Sequence, residues 1–207
     1  MSIGADLASG IALLGLELPA DAQERLAAYL ALLAKWNRTY NLTAVRDEQE
    51  MVAYHVLDSL AVLGHLSGDS LADIGSGAGL PGIPLAIARP QWRVAVVESN
   101  GKKAAFLDQC KIELGLKNVE VVPRRVEAWQ PDDPFEVVIS RALSDLALFV
   151  RLSAHLLAPG GNIAAMKGVF PDAEIGQLPP DFAVSQIVAL HVPRVDGARH
   201  LILMRKT

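Results

Sequence analysis

The sequence predicts an α/β fold, a mainly parallel sheet with crossover helices, preceded by an N-terminal helical extension. Three observations lead there. Residues 1–66 carry apolar positions at helical spacing. From Leu71 onward short apolar runs alternate with helical patterns, and the first of them, 71–74, opens into a glycine-rich loop.

Residues 1–66 read as helix throughout. Beyond Pro19, Leu26, Leu30, Leu33 and Trp36 recur at helical spacing. From Asp47, the residues Met51, Val52, His55, Leu57, Leu60, Ala61 and Leu63 form one broad apolar face. A polar link over 67–70 closes this section. Strands are expected at 71–74, 93–98, 119–123, 136–141 and 162–167, with helices at 81–88, 102–114 and 145–157 between them. That alternation makes the strands parallel. The last two runs, 182–191 and 200–205, follow one another without a helix and are expected as an antiparallel pair at the sheet edge. Residues 1–66 are therefore an extension packed on a domain of residues 67–207, effectively one compact unit.

Composition limits what such a chain does. At 207 residues, 51% hydrophobic and 20% charged, it is globular rather than disordered. No apolar run approaches the ~20 residues of a membrane span, and the first residues lack the basic start and apolar block of a secretory signal. A single cysteine, Cys110, excludes an internal disulfide framework and a multi-cysteine zinc site. A cytoplasmic protein without a metal is expected, with no membrane partner and nothing that demands more than a monomer. The net charge of −4 argues against a general polyanion binder. Residues 1–100 hold 6 basic and 11 acidic side chains, residues 101–207 hold 13 and 12, so a nucleic-acid contact would use a local patch in the second half.

The segment from Asp73 to Gly82 is the most informative. A strand runs straight into alternating glycines, Gly75, Gly77 and Gly79, and a helix opens at Pro81. Its first turn offers unpaired N–H groups to an anionic group. Glu98 closes the next strand, where an acid can take two ribose hydroxyls. Loop and acid together propose an adenosine-type cofactor. Two cofactors compete. Gly77 to Gly82 spells the GxGxxG of dinucleotide enzymes, a weak signal alone. Asp73 to Gly79 spells the Asp-x-Gly-x-Gly-x-Gly of S-adenosyl-L-methionine-dependent methyltransferases. Their cofactor carries an amino group, for which the acid has a use, whereas a pyrophosphate would be repelled by it.

The segment after the fourth strand, Ile139-Ser140-Arg141-Ala142, lacks the Asn/Asp-Pro-Pro-aromatic turn common in enzymes that methylate exocyclic amines. Cys110 sits on a core-facing helical pattern with Phe106 and Leu114, which disfavours carbon methylation through a cysteine nucleophile. Of the Lys-Asp-Lys-Glu set used on ribose hydroxyls, only Lys167 is suitably placed. Guanine N7 needs none of this, because the neutral base already presents a lone pair and catalysis reduces to positioning.

Five ordered motifs then become specific: Asn41-Leu42-Thr43-Ala44, His55 to Leu60, Gly79 to Ala86, Ser140-Arg141-Ala142 and Met166-Lys167-Gly168. The ensemble resembles the RsmG (GidB) family of bacterial 16S rRNA guanine-N7 methyltransferases, from about Trp36 to Lys206. The resemblance implies a Rossmann-like class I methyltransferase fold. It also implies methyl transfer from S-adenosyl-L-methionine to N7 of guanine 527 of 16S rRNA, within the 30S subunit or an assembly intermediate. It puts cofactor contacts on Gly75, Leu80, Val126, Glu127 and Arg141. The physical reading of the loop adds Asp73, Gly77 and Glu98. Arg125, Lys167 and Arg199 match basic positions assigned to RNA, and Arg141 with Lys167 would position substrate without a general base. A non-catalytic assembly factor is the rival of another class.

Blander roles fit other residues. His55, Asp58 and Ser59 share one helix, so His55 reads as a hydrogen-bonded packing residue rather than part of a triad. Trp36, Trp92 and Trp129 are too scattered for a stacking platform and read as core or partial core. Asn37, Arg38 and Asn41, at the end of the helical section, could reach substrate.

Overall fold

The computed structural model describes residues 2–141 and 145–207. Ser2 accepts the Ala5 N–H and starts α1 (Ile3–Leu13), and α2 (Ala22–Tyr40) ends where Asn41 turns into the left-handed region at φ 51°. Asp47 caps α3 (Glu48–Met51) by accepting from the Gln49 and Glu50 N–H groups. The chain continues through a π-helical stretch, Val52–Leu57, into α4 (Asp58–Leu60). Helix throughout 1–66 is thus corrected at 14–21 and 41–47. Gly15, at φ 65°, and Pro19 interrupt the first. At the second, the Asn37 amide donates to the Val45 carbonyl (3.1 Å) while its oxygen accepts the Thr43 N–H (2.9 Å), folding the chain back.

The remaining elements are β1 (Ser70–Ile74), α5 (Gly82–Ala88), β2 (Arg93–Val97), α6 (Gly101–Glu113), β3 (Val119–Val122) and β4 (Phe135–Ser140). They continue with α7 (Leu146–Ser153), β5 (Leu157–Lys167), α8 (Asp172–Ile175), β6 (Phe182–Ala189) and β7 (His200–Lys206). One seven-stranded sheet runs in the order β3-β2-β1-β4-β5-β7-β6. Strands β1 to β5 pair in parallel, and β7 lies antiparallel between β5 and β6. The expected strands and antiparallel end are therefore present, with β6 at the edge. Short α8 has no counterpart in the sequence reading.

Apolar layers cover both faces. Leu26, Leu30 and Leu33 of α2 share one cluster with Ile83 of α5, Phe106 of α6 and Val94 of β2. Phe149 and Val150 of α7 pack with Phe135, Ile163 and Ile202 in the other. Cys110, Trp92 and Trp129 are buried as expected. An ion pair from Arg194 to buried Asp6 (2.6 Å) ties α1 to the segment before β7. Strand order reverses between β1 and β4, and in such sheets the ligand crevice opens at the carboxyl ends of the strands around that point. Among the described residues, no helix is long and apolar enough to cross a membrane.

Candidate active site

The glycine loop leaves β1 with Gly75, Gly77 and Gly79 all at positive φ (69°, 59° and 87°), conformations that side chains rarely adopt. A Cβ on Gly75 would meet nothing within 4 Å, so the backbone is open to a ligand there. The buried carboxylate of Asp73 lies under the loop. Its Oδ2 accepts the Gly82 N–H at 2.9 Å, and its Oδ1 has no partner among the described residues. Burial pushes this carboxyl up to about 7, against the Gly82 hydrogen bond, which lowers it. Asp73 therefore supports the loop from beneath and is not part of a cavity wall. Leu80 is likewise core, its N–H donating to the Ser76 carbonyl at 2.9 Å.

Glu98, at the end of β2, accepts the Gly77 N–H with Oε2 (2.9 Å) and the Asn100 N–H with Oε1 (2.7 Å). Each oxygen keeps a second lone pair, so the carboxylate can hold the loop and still accept hydroxyl groups. Gly75, Glu98, Arg125, Val126 and Glu127 line one cavity of about 190 Å³, with Ile74 and Val97 as its apolar floor. Residues separated by up to 52 positions are thus brought together, Arg125, expected at RNA, among them. An open glycine backbone, an anchored acid and an apolar floor fit an adenosine-type group.

Arg141 does not line that cavity. It lines a second one of about 320 Å³, at the ends of β4 and β5, with Tyr54, Asp58, Lys167, Arg199 and His200. Three of the basic residues singled out in the sequence converge here. Arg141 donates to the Tyr54 carbonyl (2.9 Å) and to Asp58 Oδ2 (3.2 Å), while Arg199 Nε donates to Asp58 Oδ1 (3.2 Å). Lys167 is held by Glu174 of α8 at 2.8 and 3.1 Å, and Glu174 also accepts the Leu146 N–H. Asp58 and Glu174 were not assigned roles from sequence. Asp58 carries a signal, the His55-to-Leu60 motif, whereas Glu174 lies on a four-residue helix with no periodicity. Of the Ser140-Arg141-Ala142 motif, Ala142 lies outside the described residues.

His55 is buried beside this cluster. Its Nε2 lies 2.9 Å from the Thr43 hydroxyl, and Ser59 donates to the His55 carbonyl, so no triad forms. Burial, reinforced by the Arg141 charge, lowers its pKa to about 4. Asn37 is buried and bonded within its loop, which removes it from substrate contact. Arg125 is exposed and lines the first cavity beside Arg124, not the second with Arg141, Lys167 and Arg199. Among the described residues, no group of three or more His, Cys, Asp or Glu side chains could hold a metal.

Comparison with known proteins agrees with this geometry. The family model GidB, rRNA small subunit methyltransferase G, matches residues 22–202. The chain belongs to the GidB family. It is 54% identical to Ribosomal RNA small subunit methyltransferase G of Nitrosospira multiformis, over all of this chain and 99% of that protein. The protein of the same name from Laribacter hongkongensis is also 54% identical, over 98% of each chain. Among solved structures, a variant of MtNAS in complex with S-adenosylmethionine superposes with a TM-score of 0.57 at 18% identity. That match covers 89% of this chain and 75% of the other. A SAM-dependent O-methyltransferase from Thermotoga maritima superposes with a TM-score of 0.53 at 17% identity, over 72% of this chain and 64% of that one. The chain thus has the Rossmann-like fold of S-adenosylmethionine-dependent methyltransferases, as the sequence predicts.

Proposed function

We propose that this protein transfers a methyl group from S-adenosyl-L-methionine to N7 of guanine 527 in 16S rRNA. It acts as a cytoplasmic monomer on the 30S subunit or an assembly intermediate, with residues 1–66 as an extension of the methyltransferase domain. The observation that carries this reading is the pairing of two cavities along one rim of the sheet. One is built around Gly75 and Glu98 at the ends of β1 and β2, the other from three cations at the ends of β4 and β5. The relatives' names support small-subunit rRNA as substrate.

When bound, S-adenosylmethionine supplies an electrophilic methyl group on a sulfonium. Gly75, Gly77, Glu98, Val126 and Glu127 would hold that group, with Asp73 and Leu80 shaping the loop. The cations Arg141, Lys167 and Arg199 suit phosphates and the oxygen-bearing edge of guanine. Asp58 and Glu174 keep those cations in place. Neutral guanine N7 has its lone pair available, so no side chain has to remove a proton before transfer. Arg141 and Lys167 act by positioning the base. Arg125, exposed at the first cavity, is left for a phosphate contact.

Incubating the protein with methyl-labelled cofactor and small subunits from cells lacking the modification tests this reading. Digestion to nucleosides should place the label in 7-methylguanosine. Label in a ribose or an exocyclic amine would reject N7 chemistry.

A further inference from the structure

Immediately after Lys167, the chain puts two large apolar side chains into solvent. Val169 is 83% exposed and Phe170 45%. The Phe170 ring stands perpendicular to the His200 imidazole, with centroids 5.6 Å apart. His200 is steadied by a contact of 3.1 Å between its Nδ1 and the Gly168 carbonyl, and it lines the cationic cavity with Arg141, Lys167 and Arg199. The apolar pair is therefore contiguous with that cavity. Leu13 and Ile112, also strongly exposed, sit on α1 and α6 and line no part of it.

A base entering a cavity of this size must leave its helical stack, and its neighbours then lose a stacking partner. An exposed aromatic ring beside a row of cations offers the replacement, because an unstacked strand presents phosphates and π-faces together. We propose that Phe170, with Val169 beside it, is a stacking platform for a nucleobase flanking the guanine that enters the cavity. The inference rests on the RNA-methyltransferase reading above. The surrounding arginines and lysine favour a nucleic-acid strand over a protein partner, for which charged residues at the centre of a contact are unfavourable.

The test uses the full chain as wild type and as Phe170→Ala, Phe170→Tyr and Phe170→Leu. Equilibrium binding to a single-stranded 16S rRNA fragment spanning the target and steady-state methylation of unmodified small subunits are both measured. Phe170→Ala should weaken RNA binding and raise KM by about tenfold, with kcat, S-adenosylhomocysteine binding and Tm close to wild type. Phe170→Tyr should restore both values, and Phe170→Leu should not. Unchanged RNA binding in Phe170→Ala, or full rescue by leucine, would overturn the platform. If wild type binds RNA through Phe170 but methylates no small-subunit rRNA, the platform stands and the functional reading fails. If wild type methylates and Phe170→Ala matches it, the reverse holds. If wild type neither binds the fragment nor methylates small subunits, both are overturned.

Discussion

The Tyr29 hydroxyl donates a 2.7 Å hydrogen bond to the carbonyl of Ala78, joining the middle of α2 to the glycine loop across 49 residues. Tyr29 is completely buried, and burial raises its pKa well above the ordinary value, so it remains a neutral donor. Helix α2 thereby braces the loop expected to hold the cofactor. Tyr29→Phe should leave the Ala78 carbonyl unpaired and cost about 1–2 kcal/mol in urea unfolding. Calorimetric titration should also show weaker S-adenosylhomocysteine binding. Unchanged affinity alongside lost stability would mean that the loop is held without this bond.

Glu98→Gln tests the acid. A glutamine must aim its NH₂ at one of the two N–H groups, of Gly77 or Asn100, that the carboxylate now accepts. Loop anchoring and ribose recognition both suffer, and S-adenosylhomocysteine affinity should fall by about tenfold or more. Normal affinity in calorimetry would remove Glu98 from the cofactor site.

Asp58 is the shared partner of Arg141 and Arg199, with its own side chain 7% exposed and each arginine 26%. Asp58→Asn should release both guanidinium groups. The partial exposure of the arginines limits the stability loss to about 1–2 kcal/mol. Methyl transfer should fall much further, by about a hundredfold, while S-adenosylhomocysteine still binds. Arg141→Ala should behave alike, losing activity far more than stability. Parallel losses of melting temperature and rate would instead make the cluster structural.

The difference between these sites and the glycine loop explains what was legible in the sequence. Asp73 to Gly79 is a local pattern in which spacing alone dictates a strand, a turn and an open backbone, so the loop could be read directly. Arg141, Lys167 and Arg199 were also recognisable as basic positions. Their partners were not, because Asp58 and Arg141 are 83 residues apart and meet only after the π-helical stretch is packed on the sheet. Asn37 lies near a helix end, where sequence alone leaves it free to reach out, yet its amide is consumed in turning the chain at 41–47. The place of Glu98 at a strand end marks it as a ribose acid, whereas its bond to Gly77 depends on how closely β2 approaches the loop.

Two buried groups set opposite pH dependences. The unfolded Asp73 carboxyl titrates near 3.8 and the folded one near 7. Its contribution favours the fold below about 4 and is lost as pH rises towards 7. His55 titrates near 6.5 unfolded and about 4 folded, so its contribution is present above about 6.5 and is lost as pH falls towards 4. In the cofactor-free protein, His55→Gln should therefore flatten the acid-side fall in stability over pH 6.5 to 4. Asp73→Asn should steepen it, because the opposing group has gone. Urea unfolding at half-unit pH steps reads both, and identical profiles in all three proteins would contradict the assignment.

Methylation at one atom of one base is checked by mapping that atom. Unmodified 30S subunits are incubated with the protein and S-adenosylmethionine, and the 16S rRNA is treated with borohydride and aniline, which cuts at 7-methylguanine. One strong cut at guanine 527, dependent on both protein and cofactor, is the predicted result. Methyl incorporation without a cut at that position, or a cut at a different guanine, would rule out N7 of guanine 527 as the target.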